Sequence, residues 1–425
     1  PTMRLTVLLG LYLCHALHAA ELRGITGFVE VNVTTESNLF WWFVPQSEGN
    51  HSAPLIVWVQ GGPGCTGAMG WFSEGGPYRV DSHLNLHDNP NSWTNFANML
   101  YFDSPVGSGF SYANSAAGYP STVEHSTQDL LRGLSHVLTN ELKEYSNNEI
   151  FLVGESFAGI FIPELAVAML NEPSPLKLVG VAIGNGLSDA PIQVGCHAEF
   201  MHSLGLIDGA QAAAAETQER SIINLISRGD FRNASAAYDN LTLSLMIDAG
   251  MCDPSDVRYY GFDRLNFSAT IDFMNLPNVR RWLGVGDRNF SEICSSAVGA
   301  RMGWEGMRSV KDLFPSLLSK ISVLLFNGNF DFTIPTLGVE RWVASLDWPA
   351  RAKFDSSPRT VVRPTPKSMD TVYVTPLRHR PCCRWAYVRS GGGLTLAAIP
   401  GAGHMAAMDQ PAAVSDVLRH WMANA

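Results

Sequence analysis

Hydrophobic positions along this chain fall into two kinds of run. The stretches "NMLYFDSPVG", "EIFLVGES", "LVGVAIGNG" and "ISVLLFNGNFD" are nearly unbroken apolar runs that each end in Gly, Asn, Asp or a Ser beside them. Runs of that length without polar alternation suit parallel strands buried on both faces. "GFVEVNVTTESNLFWWFVP" and "APLIVWVQ" are rich in β-branched and aromatic residues and bounded by turn-formers, so they also predict strands, with "LFWWF" in the core. Between these lie helical patterns, notably 121–145 and the terminal "QPAAVSDVLRHWMANA". Strand and helix alternate, which predicts an α/β core with a mainly parallel sheet flanked by helices.

The pattern changes twice. Residues 187–300 are Ala-rich and helical in character, and read as a mostly helical cap inserted between a first core part, 21–186, and a second, 301–425. Residues 349–384 hold six prolines and eight Lys or Arg against two acids, and read as an irregular surface loop. Residues 1–20 carry Arg4, an apolar stretch from Leu5 to Leu17 and small residues at Ala19 and Ala20, the layout of a secretory signal peptide; Pro1 and Thr2 are left out of the fold reading.

Composition narrows the function. With 46% hydrophobic and 16% charged residues over 425 positions, the chain can bury a large core. A formal charge of -10 without a polybasic run argues against nucleic acid as partner. Six N-x-S/T triplets, at Asn32, Asn50, Asn233, Asn240, Asn266 and Asn289, are glycosylation acceptors and agree with passage through the secretory pathway. Loss of Cys14 with the signal leaves six cysteines, which favours disulfides over metal ligation in an oxidising compartment. His83 and His87 stand four apart, but "SHLNLHDNP" reads as loop and no HExxH pattern exists, so no metal is expected.

The chemistry centres on "FLVGESFAGIFIPELA", residues 151–166. There G-x-S-x-G sits where a strand should become a helix, the arrangement that lifts a nucleophilic serine above the sheet in an α/β-hydrolase fold. A serine hydroxyl needs a base to take its proton and an acid to orient that base. In the chain order Ser, Asp, His, the downstream strand ends supply Asp331 in "FNGNFDFTIP" and His404 in "IPGAGHMAAMDQP". One oxyanion donor should be the backbone N–H of Phe157, directly after Ser156.

"GESFAGIFIPELA", "VWVQGGPGCTG", "SEGGPY", "NMLYFDSPVGSGFSY", "FNGNFDFTIP" and "GAGHMAAMDQP", taken together, resemble the serine carboxypeptidase family of acid-active exopeptidases, from about Gly27 to the C-terminus. The resemblance implies hydrolysis of the C-terminal peptide bond of peptides or proteins at acidic pH through an acyl-enzyme, without a cofactor. It assigns the second oxyanion donor to Gly62. It also implies a clamp for the substrate's terminal carboxylate made of Trp58, Gln60 and Glu155, with Glu74 bonded to Glu155. Many members of the family have Asn where this chain has Gln60. "GHMAAM" replaces a more usual Val-Pro-Tyr after the His-Met pair, so Met405 is expected to line a wider or more apolar pocket for the departing residue.

By the same resemblance Cys65 pairs with Cys294, and Cys196 with Cys252 remain as the bond within the cap; six cysteines by themselves allow fifteen pairings. The adjacent Cys382 and Cys383 stay unassigned. The interval from Asp331 to His404 is longer than expected for the family, with the excess in the basic, proline-rich 361–384. The implied destination is secreted or lysosomal/vacuolar, with no membrane span in the mature chain and the oligomeric state open, a homodimer included. Two other functions stay open: an acyltransferase of the same family, and a chaperone-like partner or scaffold whose catalysis is incidental.

Overall fold

Every residue of β3 (Leu55–Val59) is buried, because its two faces pack against different helical layers. Leu55, Val57 and Val59 enter an apolar cluster with Leu130, Leu134, Ile162 and Leu165. Ile56 and Trp58 enter another with Ala68, Trp71, Leu418 and Trp421. The structure, a computed structural model, describes residues 22–171, 176–261, 265–363 and 385–425. The expected signal segment and Cys382 with Cys383 lie outside the described residues.

The remaining strands are β1 (Ile25–Asn32), β2 (Ser37–Val44), β4 (Tyr78–Val80), β5 (Leu86–Asp88), β6 (Asn98–Phe102), β7 (Glu149–Glu155), β8 (Lys177–Gly184), β9 (Ser322–Gly328), β10 (Thr360–Val362), β11 (Ala386–Gly391) and β12 (Leu394–Ile399). Ten form one sheet in the order β1-β2-β6-β3-β7-β8-β9-β12-β11-β10, while β4 and β5 make a separate hairpin. The run from β6 to β12 is parallel throughout, and its margins are antiparallel. Strands β7, β8, β9 and β12 are consecutive neighbours, so their C-terminal ends lie side by side along one edge. The unbroken apolar runs of the sequence are these doubly buried strands.

The helix expected over 121–145 is shorter as an α-helix. Thr122 caps it by accepting from the His125 backbone N–H, it runs Val123–His136, and a wide turn, Val137–Glu141, then carries the chain out of the regular spiral. Of the expected loop 349–384, the described residues 349–363 hold a helical turn, Arg351–Asp355, and β10, which extends the sheet edge by pairing with β11. Trp348 Nε1 donates to Gly392 O at 2.9 Å, and Arg351 donates to the carbonyls of Ala344 and Leu346, which ties this segment to its neighbours in the core.

Between residues 187 and 300 the described chain is mostly helical, with longest members Gly209–Ser227 and Phe231–Ala249. Asp208 and Gln211 form a reciprocal cap at the start of the first, and Gly250, at φ 66°, ends the second. These helices have an apolar cluster of their own, including Met201, Ile222, Leu241 and Leu245, which reaches Phe332 beside Asp331. A return segment, 253–258, then straps across two strand-end loops: Val257 N donates to Phe330 O, Thr333 N to Pro254 O and His404 N to Ser255 O, at 3.0, 3.2 and 2.6 Å.

Cys65 and Cys294 are joined in a disulfide. The expected Cys196–Cys252 bond is not made, and both are free thiols. Cys196 is buried and held where it stands: its thiol donates to Ile192 O at 3.3 Å and accepts from Arg341 Nη1 at 3.4 Å. His87, in the β4–β5 hairpin, pairs with Asp81 at 2.8 Å on the surface. Asn50, Asn233, Asn240, Asn266 and Asn289 are exposed, whereas Asn32 is half-buried with its Oδ1 accepting from Thr34 N and Thr35 N. Among the described residues no helix is long and apolar enough to cross a membrane.

Two further buried acids, apart from those that adjoin Ser156 and His404, bear on stability. Glu219 is buried in the cap and accepts from Ala198 N at 2.8 Å; burial, opposed only in part by its hydrogen bonds, pushes its pKa up to about 7. Asp103 accepts from the Thr66 hydroxyl and from Gly67 N and Phe110 N, and burial still prevails, raising it to about 6. Both folded pKa values exceed those of an unfolded carboxyl, so the stabilisation is complete below about pH 4 and is lost as pH rises through 6 to 7. The expected result is a Tm that falls by several degrees from about pH 5 to about pH 8, with a smaller fall in Glu219→Gln, whose amide oxygen still accepts from Ala198 without titrating. Thermal unfolding across that range checks it, and an equal fall in both proteins would remove Glu219 from the account.

Candidate active site

Strand β7 ends at Glu155 and the helix Ala158–Asn171 begins three residues later, so the chain must turn within Ser156 and Phe157. Ser156 has φ 62°, a left-handed conformation that costs energy for a non-glycine residue. The flanking glycines permit it. A Cβ on Gly154 would stand 2.0 Å from Val59 O, and one on Gly159 would stand 2.5 Å from Leu187 O. The turn is fixed by Ser156 N donating to Gly184 O and Leu187 N donating to Ser156 O, both at 3.0 Å.

Asp331 follows β9 and His404 follows β12, at the same edge of the sheet. His404 Nδ1 donates to Asp331 Oδ2 at 2.8 Å, which leaves Nε2 as the proton-accepting nitrogen of the neutral ring. Asp331 is fully buried, and His404 keeps 13% of its side chain exposed. The Asp331 carboxylate accepts two further bonds, from Ile334 N to Oδ1 at 3.0 Å and from Asn185 Nδ2 to Oδ2 at 2.8 Å. Three donors thus hold one carboxylate.

The "QGGPGC" loop after β3 packs directly on the serine turn. A Cβ on Gly61 would lie 2.8 Å from Ser156 Cβ and 2.9 Å from Phe157 N, so only glycine allows this approach. Gly62 itself has φ 111°. Among the described residues, the N–H groups of Gly62 and Phe157 donate to no protein acceptor. The Cys65–Cys294 bond, with Ser295 N donating to Gly64 O and Thr66 N to Ile293 O at 2.8 Å each, pins the loop to the end of the cap.

A second cluster lies beneath the turn. Trp58 Nε1 donates to Gln60 Oε1 at 2.8 Å, Gln60 Nε2 donates to Glu155 Oε1 at 3.2 Å, and Glu155 is hydrogen-bonded to Glu74. All four side chains are at most 3% exposed. Burial, followed by the charge of Glu155 and the hydrogen bond to it, holds Glu74 well above the usual carboxylate range. Burial also raises Glu155, against the lowering influence of His404. The Arg79 guanidinium opposes the shift at Glu74 without reversing it. Two carboxyls in contact that keep a proton between them can give a hydrogen bond to a third carboxylate.

Ser156, Phe157 and Gly62 open into a cavity of about 450 Å³ whose outer wall comes from the helical insertion, through Arg232, Tyr238 and Asp239, and from Trp304 just after it. Arg232 lies over the Trp304 ring at 4.8 Å. Met405 does not line this cavity. It is fully buried in the same apolar cluster as Trp58 and Met69, because the chain turns there into the short helix Ala406–Asp409. The sequence reading had passed over Asn185 and the 253–258 strap. Asn185 could have been suspected as the one polar side chain at the end of an apolar run, in "AIGNG", whereas the strap carries no comparable local signal.

An α/β hydrolase with a helical insertion over the serine-bearing edge of its sheet is the class these features define. Comparison with known proteins narrows it. The family model described as serine carboxypeptidase matches residues 17–424. A relative from Dictyostelium discoideum, serine carboxypeptidase S10 family member 1, is 30% identical, and the match covers 94% of each chain. The probable serine carboxypeptidase CPVL of Homo sapiens is 30% identical over 95% of this chain and 83% of its own. In three dimensions the chain is similar to Kex1, a prohormone-processing carboxypeptidase from Saccharomyces cerevisiae, with TM-score 0.81, 23% identity and coverage of 94% and 91%. This chain belongs to the serine carboxypeptidase family.

Proposed function

We propose that this enzyme removes single residues from the C-termini of peptides or proteins at acidic pH, with Ser156 as nucleophile, His404 as base and Asp331 as its orienting acid. The observation that carries the reading is the buried chain Trp58–Gln60–Glu155–Glu74, because Glu155 is the residue immediately before Ser156. A group that recognises a carboxylate and a group that attacks a carbonyl are thereby adjacent in sequence, which suits a scissile bond one residue from a free C-terminus.

In this mechanism the terminal carboxylate of the substrate accepts hydrogen bonds from the Gln60 amide and from the protonated member of the glutamate pair. His404 Nε2 takes the Ser156 proton as Oγ adds to the carbonyl carbon, and the imidazolium that forms is stabilised by Asp331 through Nδ1. The negative oxygen is received by the N–H groups of Phe157 and Gly62. His404 then gives the proton to the departing amine and the C–N bond breaks. Water, deprotonated by the same nitrogen, adds to the acyl carbon; the ester bond to Ser156 breaks, the proton passes to Oγ and the shortened peptide leaves. The signal-like N-terminus and the exposed acceptor asparagines support an assignment to the secretory pathway.

Digestion of a mixed peptide library at about pH 4 to 6, read by mass spectrometry, tests the proposal. Loss of one residue at a time from the C-terminus is expected, with amidated peptides spared. Internal cleavage, or equal cleavage of amidated and free peptides, would refute it.

A further inference from the structure

We propose that Asn185 is a positioning residue for the catalytic acid and histidine, and that its side-chain amide holds the ends of three strands in the arrangement the reaction needs. The inference rests on the proposed roles of Ser156, Asp331 and His404. Asn185 directly follows β8, the strand between those that deliver Ser156 and Asp331. It is fully buried. Its Nδ2 donates to Asp331 Oδ2 at 2.8 Å and to Gly403 O at 3.2 Å, and its Oδ1 accepts from Gly328 N at 3.4 Å. Its backbone N–H donates to Phe326 O at 2.8 Å. One amide therefore touches the acid, the carbonyl just before the histidine and the end of β9.

The chemistry calls for an amide here. Asp331 Oδ2 already accepts from His404 Nδ1, and a second donor on that oxygen fixes the plane of the carboxylate and hence the direction of the imidazole. Only an amide supplies two donors, to Asp331 and to Gly403 O, and also an acceptor for Gly328 without a charge of its own. The backbone agrees, since φ is 47° at Asn185 and asparagine tolerates the left-handed region better than other non-glycine residues. Among the described residues, the ionisable groups in electrostatic reach of Asp331 include His404, Glu155, His197 and Tyr238, and these remain present in the variants below.

Two variants test this. Asn185→Gly deletes the amide without adding backbone strain, and is expected to lower kcat about 10- to 100-fold, as for loss of a hydrogen bond to a charged acceptor, with KM within about two-fold. Asn185→Asp can donate to Asp331 only while protonated, so its kcat relative to the parent protein should rise several-fold from about pH 7 to about pH 5. A merely structural role predicts a ratio that does not move with pH. A kcat within two-fold of the parent in Asn185→Gly, or a flat ratio in Asn185→Asp, overturns the assignment, and the second variant decides alone if the first does not fold. Ser156→Ala is run alongside: persistence of C-terminal release in that protein would defeat the proposed mechanism instead, whereas its loss together with an indifferent Asn185→Gly would defeat only the role of Asn185.

Discussion

Ser156→Ala is expected to lower kcat/KM for peptide hydrolysis by about 10⁴- to 10⁶-fold while Tm stays within a few degrees of the parent. The reasoning is that the hydroxyl is the only group on the turn able to form a covalent bond, while the turn itself is held by backbone bonds that alanine retains. His404→Ala should be comparably damaging, and the double variant should be no worse than either single one, because the two side chains act in one step. Asp331→Asn should lie nearby, at about 10³- to 10⁴-fold, since an amide facing Nδ1 can donate and so favours the wrong tautomer. Steady-state rates on a single peptide, with thermal unfolding of each variant, decide the matter. Losses that multiplied in the double variant would show that Ser156 and His404 do not share a step.

The pH dependence should then separate two substrate types. For a peptide with a free C-terminus, kcat/KM is expected to fall about 10- to 100-fold relative to an activated ester substrate without a free carboxylate as pH rises from about 5 to about 8, the magnitude of a hydrogen bond to a charged group. The sign follows from the raised pKa values of Glu74 and Glu155, whose first cause is burial. Below those values the pair keeps a proton to share with the incoming carboxylate; above them two anions face a third. Taking the ratio of the two substrates cancels the ionisation of His404, which both need in its neutral form. Glu74→Gln combined with Glu155→Gln should flatten the ratio, because amides donate at any pH. Parallel profiles for both substrates in the parent protein would remove the carboxylate clamp from the mechanism.

Local pattern carried much of this. The doubly buried strands were visible as unbroken apolar runs because a strand covered on both faces has no polar alternation to show. Ser156 was visible because the glycines that admit its strained turn lie within three residues of it, and Asp331 and His404 because each follows an apolar run. The serine turn also explains Gly154 and Gly159 atom by atom: their missing side chains are the space occupied by Val59 and Leu187.

Other features had no local signature. The thiols of Cys196 and Cys252 are equally plausible partners in a list of cysteines, yet the first is engaged by Ile192 and Arg341, residues placed there by packing of the insertion against the core. Met405 reads as a pocket residue beside His404 until the following helical turn buries it. Segment 253–258 binds the loops of Asp331 and His404 across more than 70 and nearly 150 residues of chain, through backbone groups that any sequence would possess.

By itself, then, the sequence determined the kind of sheet, the residue types able to do acyl chemistry and the order in which they occur, since all of these depend on near neighbours and on hydrophobic spacing. Tertiary structure alone decided that β7, β8, β9 and β12 are adjacent, and so that Asn185 reaches Asp331 and Gly403. The physical reason is that strand order and hydrogen-bond geometry across a sheet arise from how the layers pack together, and side chains separated by 146 or 218 positions leave no periodicity by which to recognise each other.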